Sequence, residues 1–238
     1  MSRIPRTTAK TTRRPGEPAL VTREQIVDVA EALARTEGLE KVSVRRVSAA
    51  LSVTPAALYW HVPNKQQLVS EIVDRILGRV ERPDPSDGTW LDQFLRYYDA
   101  TRAEFLQFPG ISAALMTHEP TEATLLSCLY PLQLLSEGGF DEDGAIAVFR
   151  AASTLMTGHL VMLDLSRHQT RRSRDGDFAP RHRKVLAERP EYLGFVQSLV
   201  HFDDAYSRDQ FRHGLELLVR GAGVEHGVHV PACDEVST

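Results

Sequence analysis

The sequence predicts an all-α protein in two parts. Apolar residues recur at helical spacing almost throughout the chain after Ala19, and no alternation of period two bounded by Asn-Gly or Asp-Gly turns accompanies them. One run, Arg82-Pro83-Asp84-Pro85-Ser86-Asp87-Gly88, holds prolines and a glycine that no helix interior would keep, and it marks the boundary between the two parts. With 238 residues, 42% of them apolar, the chain has the material for a substantial core. The expected divisions are a basic arm over residues 1–19, a helix-turn-helix domain over 20–82 and a larger helical domain over 83–238.

The arm has Pro5, Pro15 and Pro18 among threonines and arginines and offers nothing to pack. The first helix starts at Thr22, whose hydroxyl caps it while Gln25 reaches back in a capping box; Ile26, Val29, Ala30 and Leu33 form one apolar face and Gly38 stops it. Ser43 caps the second helix, with Val44, Val47, Ala50 and Leu51 inward and Arg45, Arg46 and Ser48 pointing elsewhere. Thr54 caps a very short third helix whose first position is Pro55, where a missing N–H costs nothing. Val62-Pro63-Asn64 ends it, and a fourth helix over 65–81 turns Leu68, Val69, Ile72, Val73, Ile76 and Val80 inward. Past the linker, helices are expected over 90–105, 121–137, 141–167, 190–202 and 207–221, with a basic surface loop over 167–184.

Net charge is −4, and its distribution says more than its sum. Residues 1–19 carry Arg3, Arg6, Lys10, Arg13 and Arg14 against Glu17 alone, a balance of +4; residues 20–82 add +1, and the remainder supplies −9. A basic front on an acidic body suits a chain whose one end meets a polyanion. The alternative for the arm is a solvated tail. Cys128 and Cys233 stand far apart without metal-ligand spacing, so neither a disulfide framework nor a zinc site is expected. No apolar run reaches the ~18 residues of a membrane span, and the first residues lack the apolar centre of a secretory signal, which makes the cytoplasm the expected compartment and a membrane no partner. No Gly-rich phosphate cradle, HExxH, nucleophile elbow or paired-carboxylate pattern occurs, so neither catalysis nor a cofactor or metal is expected. His201-Phe202-Asp203-Asp204 reads as a helix junction cap.

Residues 43–61 read as helix, tight turn, helix. Leu51, Val53, Leu58 and Val62 can hold the two helices together, since positions 58 and 62 share a face one turn apart. That leaves Pro55, Ala56, Tyr59 and Trp60 outward. A short helix that begins with small residues can enter a DNA major groove deeply, while Tyr59 and Lys65 have donors for phosphates and Arg45 is long enough to reach a base edge. The competing arrangement is a three-helix core with Tyr59 and Trp60 packed inside. A helical adaptor that uses the two rings to bind a protein is a further alternative.

The words Thr54-Pro55-Ala56-Ala57-Leu58-Tyr59-Trp60-His61-Val62 and Asn64-Lys65, preceded by Thr22-Arg23-Glu24-Gln25-Ile26 and Glu37-Gly38-Leu39, closely resemble the DNA-binding domain of the tetracycline-repressor (TetR) family. Phe211-Arg212-His213-Gly214-Leu215-Glu216-Leu217-Leu218 resembles the last regulatory helix of the subgroup nearest the tetracycline repressor. The resemblance implies a homodimeric repressor that leaves double-stranded operator DNA when a small-molecule effector binds. Position by position it implies DNA contacts from Ser43, Arg45, Thr54, Pro55, Ala56, Ala57, Tyr59, Trp60, His61 and Lys65. With Ala56 and Ala57 at the start of the recognition helix, few base-edge hydrogen bonds can come from there.

The helix over 141–167 carries Ile146, Phe149, Leu155, Met156, Leu160, Val161, Met162 and Leu163, too many apolar positions for one stripe, and the last helix repeats this with Phe211, Leu215, Leu217, Leu218 and Val219. Pairing both with their mates in a second subunit would make a four-helix bundle; burial inside one large subunit is the other solution. Candidate effector contacts are Phe105, Phe108, Met116, His118, Gln133, Met156, His159 and Met162, apolar and aromatic walls with a few polar handles, each of which could equally be core. His118 does not fall where the subgroup has its metal-binding His, and Glu81 stands where the fourth helix would offer another, so a bulkier apolar or aromatic effector fits better than a drug–metal chelate.

Overall fold

Most helix starts are set by a side chain or a proline that the backbone needs there, and the computed structural model describes residues 21–86, 88–117, 121–172, 188–189, 191 and 207–232. The arm at 1–19, the helix expected over 190–202, most of the loop expected over 167–184 and His118 lie outside them. Helix α1 (Arg23–Glu37) has Thr22 and Gln25 in a reciprocal capping box and ends at Gly38, whose φ of 98° suits a residue without a Cβ. A single 3-10 turn (Leu39–Lys41) leads to α2 (Val44–Ala50), capped by Ser43, and α3 (Pro55–Tyr59), capped by Thr54. Asn64 caps α4 (Lys65–Arg79).

One expectation about α2 is corrected. Ser48 is buried and Ala50 is exposed, the reverse of their predicted directions. Positions 44, 47, 48 and 51 form the i, i+3, i+4, i+7 row of a helix, so Ser48 falls on the core side and Ala50 off it. The buried hydroxyl is satisfied by donating to the Arg45 carbonyl at 2.9 Å.

The second part starts with α5 (Trp90–Leu106), opened by a Thr89–Asp92 capping box, followed by α6 (Ile111–Thr117), α7 (Glu122–Glu137), α8 (Glu142–Arg172) and α9 (Arg208–His226). The short α6 has no counterpart in the sequence-based expectation: seven residues show too little periodicity to read. Helix α8 continues past 167 and α9 past 221. A proline, Pro131, sits buried inside α7. Gly138 ends that helix against the Trp90 indole, where an added Cβ would lie 2.6 Å from a ring carbon.

Helix α4 belongs to both parts. It packs on α1 and also on α5, α6 and α7, and its Ile72, Val73 and Ile76 lie in one continuous core with Leu91, Phe94 and Leu95 of α5. Charged pairs line its α1 side: Arg23 with Glu71 at 2.6 Å, Arg75 with Asp28, and Arg79 with Glu31. Each exposed pair is worth little singly, about 0–1 kcal/mol, but together they fix the register of the two helices.

Among α5, α8 and α9 the interior is polar as well as apolar. Asp99 Oδ2 accepts from Arg208 (3.0 Å) and Arg212 (3.2 Å). His159 Nε2 accepts from Arg102 Nε at 2.8 Å, and the imidazole lies 4.8 Å from the Phe211 ring. Burial, helped by the Arg102 charge, pushes His159 down to about 4. Ser112 donates to Asp164 at 2.5 Å. Helix α8 is apolar enough over Glu142–Leu165 to cross a membrane by length and composition alone; its packing on α6, α7 and α9 covers part of that surface, and Met162 and Leu165 stay exposed.

Two outcomes follow from this packing. Leu58 is fully buried, so Leu58→Ala should cost about 2–5 kcal/mol in urea unfolding, whereas Trp60→Ala should stay within about 0.5 kcal/mol of the parent because that ring is 90% exposed. The His159 shift has the opposite sign to that of a His gaining an acidic partner: between about pH 4 and 6.5 the unfolded chain takes up a proton that the folded chain refuses. Stability should therefore fall with acidification across that window, with a contribution from this group approaching about 1.4 kcal/mol per pH unit. His159→Gln should flatten the slope of unfolding free energy against pH there.

Candidate nucleic-acid interface

The α2–turn–α3 unit is built so that one short helix has a single way to face. Between the two helices the chain turns at Ser52, the sole non-glycine with positive φ (56°) among the described residues, and Val53 N–H donates back to the Ser48 carbonyl at 3.0 Å. Thr54 Oγ1 accepts from Ala57 N–H at 3.4 Å, and Pro55 occupies the first turn. With five residues, α3 has room for one buried side chain, Leu58, which joins Val47 and Val62 in the core. After it, His61 and Val62 N–H both donate to the Leu58 carbonyl, at 2.9 and 2.8 Å.

Fixing Leu58 inward fixes the opposite side outward. Thr54, Pro55 and Ala56 are exposed, Tyr59 is 53% and Trp60 90% exposed, and Ala57 and His61 are half-buried. Both rings are outside the core, so the three-helix packing that would have sealed them is not the one adopted. Ser43 is half-buried and spends its hydroxyl on the Arg46 N–H (3.3 Å). Arg45 is exposed and its guanidinium makes no ion pair among the described residues. Its neighbour Arg46 is held by Glu37 at 2.6 Å, a contact that keeps the Glu37 carboxyl below its ordinary range. Lys65 donates to the Glu40 carbonyl at 2.8 Å, tying the start of α4 to the 3-10 turn, a use that its sequence position does not reveal. The set therefore runs from the cap of α2 through the turn, α3 and the two residues after it to the first residue of α4.

The candidate effector residues divide. Phe105, Phe108, Met156 and His159 are buried. Phe108 sits under the Arg35 guanidinium of α1, 5.0 Å from its ring centre. Met156 and His159 share one face of α8, where Arg102 and Phe211 meet the imidazole. Met116, Gln133 and Met162 are exposed, and Gln133 donates to Glu137 at 3.0 Å. Sequence reasoning missed Asp99, Arg102, Arg208 and Arg212, since pairing between positions 57 to 113 apart leaves no local pattern. Among the described residues no cluster of three or more His, Cys, Asp or Glu side chains is placed to hold a metal ion.

Comparison with known proteins agrees with this geometry. Residues 26–72 match the family model of bacterial regulatory proteins of the tetR family, and residues 82–225 match that of the tetracyclin repressor-like C-terminal domain. A curated HTH-type transcriptional regulator of Saccharopolyspora erythraea is 25% identical over 211 residues, 88% of this chain and 87% of that protein. The class D tetracycline repressor protein of Escherichia coli is 26% identical over 209 residues, 87% of this chain and 91% of that protein. The crystal structure of the Streptomyces coelicolor TetR family protein ActR in complex with (S)-DNPA superposes with a TM-score of 0.67 at 26% identity, covering 87% of this chain and 99% of that one. With family models matching both the helix-turn-helix and most of the helical remainder, this chain belongs to the TetR family of DNA-binding transcriptional regulators.

Proposed function

We propose that the protein is a homodimeric repressor that holds a palindromic operator through residues 20–82 and releases it when a small molecule binds within residues 83–238, acting in the cytoplasm where bacterial DNA is found. The observation that carries this reading is the outward presentation of Tyr59 and Trp60 beside Arg45, which is exposed and without an ion pair among the described residues. Arg45 reads a base edge, the Pro55–Ala56 end of α3 approaches the groove floor without bulk, and Thr54, Tyr59, His61 and Lys65 reach phosphates, with Ser43, Ala57 and Trp60 completing the contact surface. Leu217 and Val224 on α9 and Met162 and Leu165 on α8 leave apolar surface uncovered in one copy. A second copy covers it as a four-helix bundle, which sets two α3 helices about 34 Å apart, one turn of DNA. Effector contacts come from Phe105, Phe108, Met156 and His159, with Met116, Gln133 and Met162 at the margin and His118 as a further candidate.

An effector releases DNA only by binding better to the arrangement with wrongly spaced α3 helices. Helix α4 transmits the difference, since it is locked to α1 by ion pairs and to the second part by the core.

DNA fragments retained by the purified protein from a random pool should share a palindrome; retention of fragments without one would overturn the dimeric reading. On the selected duplex, Arg45→Ala should weaken binding by about 1–3 kcal/mol and relax preference at one base pair per half-site, measured by mobility shift. For any effector that releases the duplex, titrations with and without DNA should differ in affinity by the same factor by which the effector weakens DNA binding; equal affinities would sink the coupling.

A further inference from the structure

A cleft of about 540 Å³ opens where the 3-10 turn and the start of α4 face α6. That volume lies in the range of small-ligand sites. Leu39, Val69, Ala113 and Ala114 supply its apolar walls, and at Gly110, also on the lining, a Cβ would meet nothing within 4 Å. None of the candidate effector residues lines it. Gln66 bridges it, donating to the Thr117 carbonyl at 3.2 Å.

Two polar groups in the cleft are incompletely used. Ser70 is only 8% exposed as a residue, and its hydroxyl makes no hydrogen bond among the described residues and is left accessible on the cleft lining. Lys65 gives one ammonium proton to the Glu40 carbonyl and has two more to offer. The two residues are five apart on α4, about 7.5 Å along its axis. A positively charged donor and an accessible hydroxyl on the same lining, with apolar walls beside them, suit a flat molecule with a polar group at each tip.

We propose that this cleft is a second small-molecule site, separate from the effector interior, for a flat aromatic acid whose carboxylate meets Lys65, whose rings lie against Leu39, Val69 and Ala114, and whose far hydroxyl pairs with Ser70. Its position gives it a regulatory consequence. Leu39 N–H donates to the Pro109 carbonyl at 2.9 Å beside the cleft, so an occupant stiffens the seam through which the helix-turn-helix part is held to α6.

The probe is 6-hydroxy-2-naphthoate, which is fluorescent and carries the two polar groups at opposite tips. Titrated against the full chain, it should bind saturably, one per protomer. Ala113→Trp fills the cleft from an exposed position, and it should weaken binding at least tenfold while leaving the helical circular dichroism and the thermal midpoint near those of the parent. Lys65→Met should weaken binding comparably and Ser70→Ala by a smaller factor; if the tryptophan variant fails to fold, Lys65→Met decides. Hydrogen exchange at the Leu39 amide should slow in the presence of the probe. Absence of saturable binding at millimolar probe, affinity unchanged in Ala113→Trp and Lys65→Met, or unaltered Leu39 exchange would each overturn the proposal. No step uses DNA, so its failure is distinct from failure of the repressor reading.

Discussion

Burial of Leu58 is the constraint on which the interface depends. A five-residue helix buries one side chain, and once Leu58 has joined Val47 and Val62 the remaining positions of α3 have no freedom of direction. Pro55 and Thr54 decide where the helix starts, Ser52 turns the chain through a left-handed conformation just ahead of it, and the Leu58 carbonyl collects the donors that end it. The exposed rings of Tyr59 and Trp60 are therefore a product of the core, and leaving so much aromatic surface in water makes sense for a chain with a partner for it.

The same logic extends outward through α4. Its apolar face is shared between the helix-turn-helix part and the larger helical part, and its polar face is pinned to α1 by Arg23–Glu71, Arg75–Asp28 and Arg79–Glu31. A displacement of α4 must carry α1, and with it α2 and α3. On the other side α4 meets α6 across a seam held by few hydrogen bonds, among them Gln66 to Thr117 and, from the adjoining turn, Leu39 to Pro109.

Caps and stops carried most of the local structure in readable form. Thr22 with Gln25, Ser43, Thr54 with Pro55, and Asn64 satisfy orphan amides with side chains a few residues away, so nearby residues suffice to place those helix starts. The outward set on α3 was equally legible, because Leu58 and Val62 are one turn apart and both apolar. Helix α6 was not, having seven residues and no strong cap, and residue type does not reveal the direction of Ser48, a polar side chain buried in the Val44–Val47–Leu51 row. Among effector candidates, residue type alone could not tell buried Met156 from exposed Met116.

The sequence by itself determined the helical class, the break after α4, the capped starts and the face of α3 that points to solvent, all of which depend on contacts within about one or two turns of chain. Only the tertiary structure decided that Lys65 ties down the Glu40 carbonyl, that Asp99 gathers Arg208 and Arg212, and that Ser70 opens on a cleft against α6. Those arrangements join groups brought together by helix packing, and the angle at which two helices pack is fixed by the summed shape of many side chains rather than by any short run of them.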